Sequence, residues 1–277
     1  MSGQAVHFGP HLIASASGTL RRALIVMPSP AIENARPLPG EPNAVHSRAR
    51  AELEIFAKTL RFLGCDVVEL QSRSLDPLAS SVADVAIVFE SGAAIMRPSS
   101  PARREEAVWI EEEFETRDIP IAAHLSAPGL LDGSDVVLAG QTAFIGVSSR
   151  GNALGRDGFA QIAQAHGFSP VEVRLAAKVP SLRAVCGVLS EEALVIAPER
   201  LDRAAFAGFK TIAVDRGDEF GAGVLNVGHH HVIADVRFPR VIDALRDSGT
   251  RVDAIDLYDF GRIGLTPSVL AIDLKRV

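Results

Sequence analysis

Short apolar runs come in pairs along this chain, each pair split by a brief polar or glycine-bearing break and followed by a stretch with helical spacing. Four such pairs can be read directly. Runs 85–89 and 93–96 flank Glu90-Ser91-Gly92, and runs 135–138 and 142–146 flank Ala139-Gly140-Gln141. Runs 184–189 and 193–197 flank Ser190-Glu191-Glu192, and runs 223–227 and 231–235 flank Gly228-His229-His230. Apolar segments of this length bounded by turn residues predict β-hairpins. A helix is expected after each, over 103–116, 157–166, 199–207 and 239–247. Gly167, Gly208 and Gly249 stand just past three of these helices, and Pro239 opens the last, as helix ends favour. A further short strand follows each helix, at 119–122, 171–175, 211–214 and 252–257.

A fifth unit is split between the two ends of the chain. Leu53, Phe56, Ala57, Leu60 and Leu63 repeat at helical spacing within 47–63, Gly64 follows, and 65–70 reads as a strand. Its hairpin would pair 23–25 with 270–274. Five hairpin–helix–strand units with the first joined to the last describe a closed, fivefold pseudosymmetric α/β-propeller, one domain over 1–277. The alternative is an ordinary open α/β sheet; the regularity of the repeats favours the ring. Residues 1–20 fall outside the repeat and are expected to be a flexible or lid segment, with His7 and His11 in it.

Composition narrows the function. With 47% hydrophobic residues in 277, the chain has material for a sizeable core, built on aliphatic side chains and Phe because Trp109 and Tyr258 are single copies. A net charge of -6 opposes nucleic-acid binding, which needs a basic face. No apolar run reaches the length of a membrane span, and no secretory leader is visible, so cytoplasm is the expected location. Cys65 and Cys186 form no CxxC pair, and a structural disulfide is not expected. The run Arg103-Arg104-Glu105-Glu106 reads in the first instance as a solvated helix start.

Three segments carry a resemblance. They are Val82-Ala-Asp-Val-Ala-Ile-Val88 with Met96-Arg-Pro-Ser-Ser-Pro-Ala-Arg-Arg-Glu-Glu106; Leu131-Asp-Gly-Ser-Asp-Val-Val137 with Phe144-Ile-Gly-Val-Ser-Ser-Arg-Gly-Asn-Ala153; and Gly223-Val-Leu-Asn-Val227 with Phe238-Pro-Arg240. In order and spacing they resemble the dimethylarginine dimethylaminohydrolases and their amidinotransferase and deiminase relatives, the guanidine-modifying (pentein) superfamily, from about residue 20 onward. The resemblance implies the same propeller, a small-molecule substrate on its axis, a homo-oligomer, and a cysteine–histidine pair that attacks the guanidino carbon. It also implies carboxylates that hold the planar cation, which suits their bidentate pairing with N–H donors.

Residue by residue, the resemblance places Asp84 at the first guanidinium-binding acid and Asp132 at the acid beside the catalytic histidine. Arg103 and Arg150 fall on the arginines that grip the substrate carboxylate, while Asp135 and Asn152 fall on polar positions, the former a loop holder and the latter a loop holder or substrate contact. The chemical pair is missing. Where the family has its cysteine, the chain reads Gly264-Leu-Thr-Pro-Ser-Val-Leu270, with Ser268 or Val269 at the position; where it has its histidine, Ser181 or Pro180 falls. A serine without a base is a poor nucleophile at neutral pH.

Histidines are the remaining candidates to replace the pair. His229 and His231 would share one strand face and, with a third ligand such as Asp235, would suit a metal; an exposed His-rich turn is the commoner outcome, and no cofactor is expected. His124 ends a strand near the expected axis, and His46 starts the first helix, where it would cap it. The leading expectation is a hydrolase cleaving a C–N bond at a guanidine-, amidine- or azole-type carbon through water activated by Asp132, Asp84 or a histidine. An activated carbon with a good leaving group suits such attack best. The alternatives are a conventional dimethylarginine hydrolase or arginine deiminase, and a non-catalytic binding protein.

Overall fold

The computed structural model describes residues 12–228 and 230–277; His7, His11 and His229 lie outside them. The apolar pairs do form hairpins. In chain order the elements are β1 (Leu20–Met27), α1 (His46–Phe62), β2 (Asp66–Gln71), β3 (Ala86–Phe89), β4 (Gly92–Ile95), α2 (Pro101–Glu115) and β5 (Ile121–His124). Then come β6 (Val136–Ala139), β7 (Thr142–Val147), α3 (Ala153–Ala165), β8 (Ser169–Arg174), α4 (Leu182–Val185), β9 (Cys186–Val188), β10 (Ala193–Ile196) and β11 (Lys210–Ala213). The chain finishes with β12 (Leu225–Gly228), β13 (His231–Asp235), α5 (Pro239–Asp247), β14 (Arg251–Ile255), α6 (Tyr258–Arg262) and β15 (Ile272–Arg276).

These strands make five three-stranded sheets, β15-β1-β2, β3-β4-β5, β6-β7-β8, β9-β10-β11 and β12-β13-β14. In each, the middle strand is antiparallel to one neighbour and parallel to the other. The parallel partner is reached by a crossover, which α1, α2, α3 and α5 supply in four of the blades, as parallel pairing requires. The ring closes as the repeat pattern demands, with Leu24 of β1 opposite Ile272 of β15. Strands β3 and β4 are buried at every position, which is why they read as continuous apolar runs rather than alternating ones. Outer strands such as β5 alternate between half-buried and exposed residues. Apolar packing is divided into five clusters among the blades, centred on side chains such as Phe56, Phe114, Phe144, Phe159 and Leu245. None of the described helices is long and apolar enough to cross a membrane.

Two expectations are corrected. No α-helix forms over 199–207; there is only a 3-10 turn, Arg203–Phe206. Residues 200–202 instead bond in extended form to 174–176, and the Asp202 carboxylate accepts from Ala204 N, so the backbone groups a helix would need are already taken. His46 does not cap α1. The helix start is held by remote carboxylates, with Val45 N donating to Asp259 Oδ1 and His46 N to Glu33 Oε1. At the other end of a helix, Gly167 takes the left-handed conformation (φ 84°) that ends α3.

The five inner strands β3, β6, β9, β12 and β15 are each entered through a tight turn or short helix: Val82–Asp84, Gly133–Asp135, α4, Glu219–Ala222 and Pro267–Val269. These entry segments pack against one another at one end of the ring. The hairpin tips lie at the other end. There Leu12 N donates to Glu90 O and Ser15 Oγ to Glu191 Oε1, so residues 12–18 cross the tips and stay away from the entry segments.

Candidate active site

Asp84 ends the Val82–Asp84 turn, and Asp132 immediately precedes the Gly133–Asp135 turn, its Oδ1 accepting from Ser99 N at 2.9 Å. A Cβ on Gly133 would stand 2.2 Å from Ala83 O, so only glycine lets the two turns touch and brings the two acids together. Both are buried. Arg150, from the loop after β7, reaches between them: Nη1 stands 3.1 Å from Asp132 Oδ2 and Nη2 3.6 Å from Asp84 Oδ1. Its Nη2 also donates to Ser134 Oγ. Ser148 steadies the loop by accepting from Arg150 N at 3.0 Å and donating to Asp135 Oδ2 at 2.6 Å. Sequence reading missed Ser134 and Ser148, because nothing in a local pattern separates a site serine from a turn serine.

The two acids are driven apart in acidity. Burial would raise Asp84, but the guanidinium groups of Arg150 and Arg103 outweigh it and hold the carboxyl below its ordinary range. Burial pushes Asp132 up to about 7, and the neighbouring Asp84 charge adds to the push. Asp135, also raised by burial, is committed elsewhere, accepting from Leu182 N at 2.9 Å and from Ser148.

Arg103 is not placed to grip a substrate carboxylate. It is buried, with Nε donating to Glu106 Oε2 at 2.7 Å, Nη1 to Asp84 Oδ2 at 2.9 Å and Leu78 O at 2.7 Å, and Nη2 to Ser81 O at 2.8 Å. The run that reads as a solvated helix start therefore turns Arg103 and Glu106 inward, and only Arg104 and Glu105 match that reading in part or whole. Asn152 is likewise spent within the chain. It caps α3 through Gly155 N at 2.8 Å, accepts from Leu130 N at 3.0 Å and donates to Pro128 O, so it holds the loop.

Ser181 precedes α4 and Ser268 sits in the Pro267–Val269 turn, both buried at the entry-segment end. The Ser268 hydroxyl donates to Arg183 O at 3.0 Å and lies 3.1 Å from Thr266 Oγ1, with no imidazole or carboxylate beside it. Cys65 follows α1 in the core, where burial pushes its thiol up to about 12; Cys186 lies on β9, and burial raises it too. Neither is a ready thiolate.

The histidines do not converge on this site. His124 is exposed on β5 and pairs with Glu111 of α2 at 2.7 Å. His231 pairs with Asp253, while Asp235 is taken by Arg237, so these two do not form the expected metal set. Among the described residues no group of three His, Cys, Asp or Glu side chains is gathered for a metal ion.

No family model matches the chain. It is 26% identical over 224 residues to the N(G),N(G)-dimethylarginine dimethylaminohydrolase of Pseudomonas aeruginosa, covering 81% of this chain and 87% of the relative. Against the protein of the same name from Streptomyces coelicolor, identity is 25% over 263 residues, covering 93% and 98%. The citrulline complex of the Pseudomonas aeruginosa enzyme superposes with a TM-score of 0.84 at 23% identity, over 92% of this chain and 99% of that one. The product-bound N-terminal domain of a cyanobacterial arginine dihydrolase gives 0.79 at 17% identity, over 92% and 97%. The chain is therefore similar over most of its length to the dimethylarginine dimethylaminohydrolases and has the five-bladed pentein fold of their solved structures.

Proposed function

We propose that this chain is a hydrolase of guanidino-type substrates in which Asp84 and Asp132 hold the planar cation and water, in place of a thiol, attacks its carbon. The observation that carries the reading is the split acid pair, one carboxyl held ionised and its neighbour pushed up to about 7. A group titrating near neutrality is matched to general-base work, and one that stays charged is an anchor for a cation. The names of the relatives, which specify a dimethylamino group on a guanidino carbon, support the substrate class.

The incoming guanidinium displaces Arg150 from the acids. Asp132 takes one proton from water as the oxygen–carbon bond forms and returns it to the departing amine as the C–N bond breaks, and the new hydroxyl gives up its remaining proton to solvent as the ureido C=O forms. Arg150, a quarter exposed, then pairs with the carboxylate end of the substrate. Ser181 and Ser268, lacking a base, take no chemical step. An amidine or azole carbon with a better leaving group reacts faster by this route than unactivated arginine.

The names of the near-full-length relatives favour a second reading, a conventional thiol-dependent dimethylarginine or arginine hydrolase. One experiment separates the two. The protein is incubated with dimethylarginine, arginine and an activated amidine, before and after iodoacetamide, and ureido product is measured. Turnover that survives alkylation and vanishes in Asp132→Asn is the expected result. Turnover lost on alkylation installs the thiol route, and calorimetric binding without product makes the chain a binding protein.

A further inference from the structure

A second polar feature lies behind the acid pair, inside the ring. Inner strands β3, β6, β9, β12 and β15 enclose a cavity of about 80 Å³. That is room for a few waters or one small ion. Its walls are mostly apolar, with Ile87, Val137, Cys186, Val224 and Leu225 among them, and Ile13 and Ala16 line it as well. Arg183 lines it from the inner side.

Arg183 is held by carbonyl oxygens alone. Nε donates to Val136 O at 2.8 Å and Nη1 to Ser268 O at 3.2 Å, and Nη2 has no hydrogen-bond partner among the described residues. No carboxylate among those residues pairs with it; the acids that it feels, Asp273 and Asp84, act from a distance. Burial lowers its pKa, as expected for a cation short of a counter-charge. The other charges on the cavity wall cancel, because Asp273 Oδ2 accepts from Arg276 Nε at 2.9 Å. The remaining Arg276 donors are taken by Gly18 O, Asn226 Oδ1 and Asn226 O. The cavity wall thus has a net charge of one positive, with its uncommitted donors on Arg183.

We propose that this cavity is a binding site for one small monovalent anion, of halide or formate size, seated against the Arg183 guanidinium. Arg183 is half-buried, and a guanidinium drawn partly out of water without a counter-charge is costly, a cost that an anion seated beside it removes. Apolar walls and the limited volume exclude divalent or bulky anions. The site is separate from the acid pair, and its occupancy does not depend on what reaction the acids perform.

The test uses the full chain. Thermal midpoints are followed as chloride, nitrate or formate replaces gluconate at constant ionic strength, for the protein and for Arg183→Met. A saturating rise with the small anions, absent in gluconate and absent in the variant, is the expected result. Chloride-only or formate-only responses distinguish a halide from a carboxylate occupant. Crystals soaked in bromide decide the matter even if the variant does not fold, because an anomalous peak within about 3.5 Å of the Arg183 guanidinium is required. A water-filled cavity with no bromide peak, or equal midpoints in chloride and gluconate, overturns the proposal.

Discussion

Arg150 stands between Asp132 and Asp84, Nη1 at 3.1 Å from one and Nη2 at 3.6 Å from the other. A guanidinium of the chain itself therefore occupies the acids proposed to receive the guanidinium of a substrate. Nε of Arg150 and Oδ1 of Asp84 are buried without hydrogen-bond partners, so the internal fit leaves donors and acceptors unused. Binding then becomes an exchange of one guanidinium for another, and the internal one lowers the apparent affinity for the external one.

Arg150→Ala tests the exchange. Removing one partner from a buried ion cluster costs about 3–5 kcal/mol, because the acids left behind lose their counter-charge. The thermal midpoint should fall, and millimolar methylguanidinium should restore part of the loss while leaving the unaltered protein nearly unchanged. Equal response in both proteins would mean that the acids do not accept a free guanidinium.

The raised acids give a pH dependence of definite sign. Asp132 goes from 3.8 up to about 7 on folding and Glu52, buried against α6, from 4.5 up to about 7. The folded state therefore binds more protons than the unfolded one between about pH 4 and 7. Their contribution to stability is full below the unfolded values and is lost as pH rises through about 7. Asp84, held low, acts in the opposite sense, contributing above its unfolded value and losing that contribution as pH falls through its folded one. Denaturant unfolding at pH 4 and pH 8 should show Glu52→Gln gaining on the unaltered protein only at the higher pH. In turnover, kcat/KM should rise through about pH 7 as Asp132 loses its proton, and Asp132→Asn should abolish that limb.

Much of this fold was legible because the inner strands are buried on both faces and spell themselves as apolar runs, and because 23–25 and 270–274 had no other unit to join. The resemblance singles out Asp84 and Asp132, and Gly133 is what lets the two turns that carry them touch. The fates of Arg103 and Asn152 were not, because a single sequence shows which residues a site has, not which of them the chain consumes. Arg103 is consumed by carbonyls at 78 and 81, which no local spacing connects to it. The missing third helix is of the same kind, decided by pairing between 174–176 and 200–202.

The thiols offer a direct check on the nucleophile. Cys65 and Cys186 are both buried, and burial raises both pKa values, so neither presents thiolate at neutral pH. Native protein should react with an aromatic disulfide reagent only as fast as it unfolds, with two thiols released in denaturant. Prompt labelling of one thiol, with loss of turnover, would place a reactive cysteine in the native state and restore the conventional chemistry.

Arg103→Lys tests whether the buried fork supports the site. A lysine keeps the charge but has one donor centre, whereas Arg103 uses three nitrogens on Glu106, Asp84 and the carbonyls of Leu78 and Ser81. The substitution leaves at least two buried acceptors unsatisfied, at about 1–3 kcal/mol each. Asp84 also loses part of the positive field that holds it ionised, so its pKa should climb toward that of Asp132 and the pair should no longer be split. The expected outcome is a lower thermal midpoint together with weaker binding of guanidinium ligands. Lower stability with unchanged ligand affinity would confine Arg103 to holding the fold and would leave the charge on Asp84 to Arg150 alone.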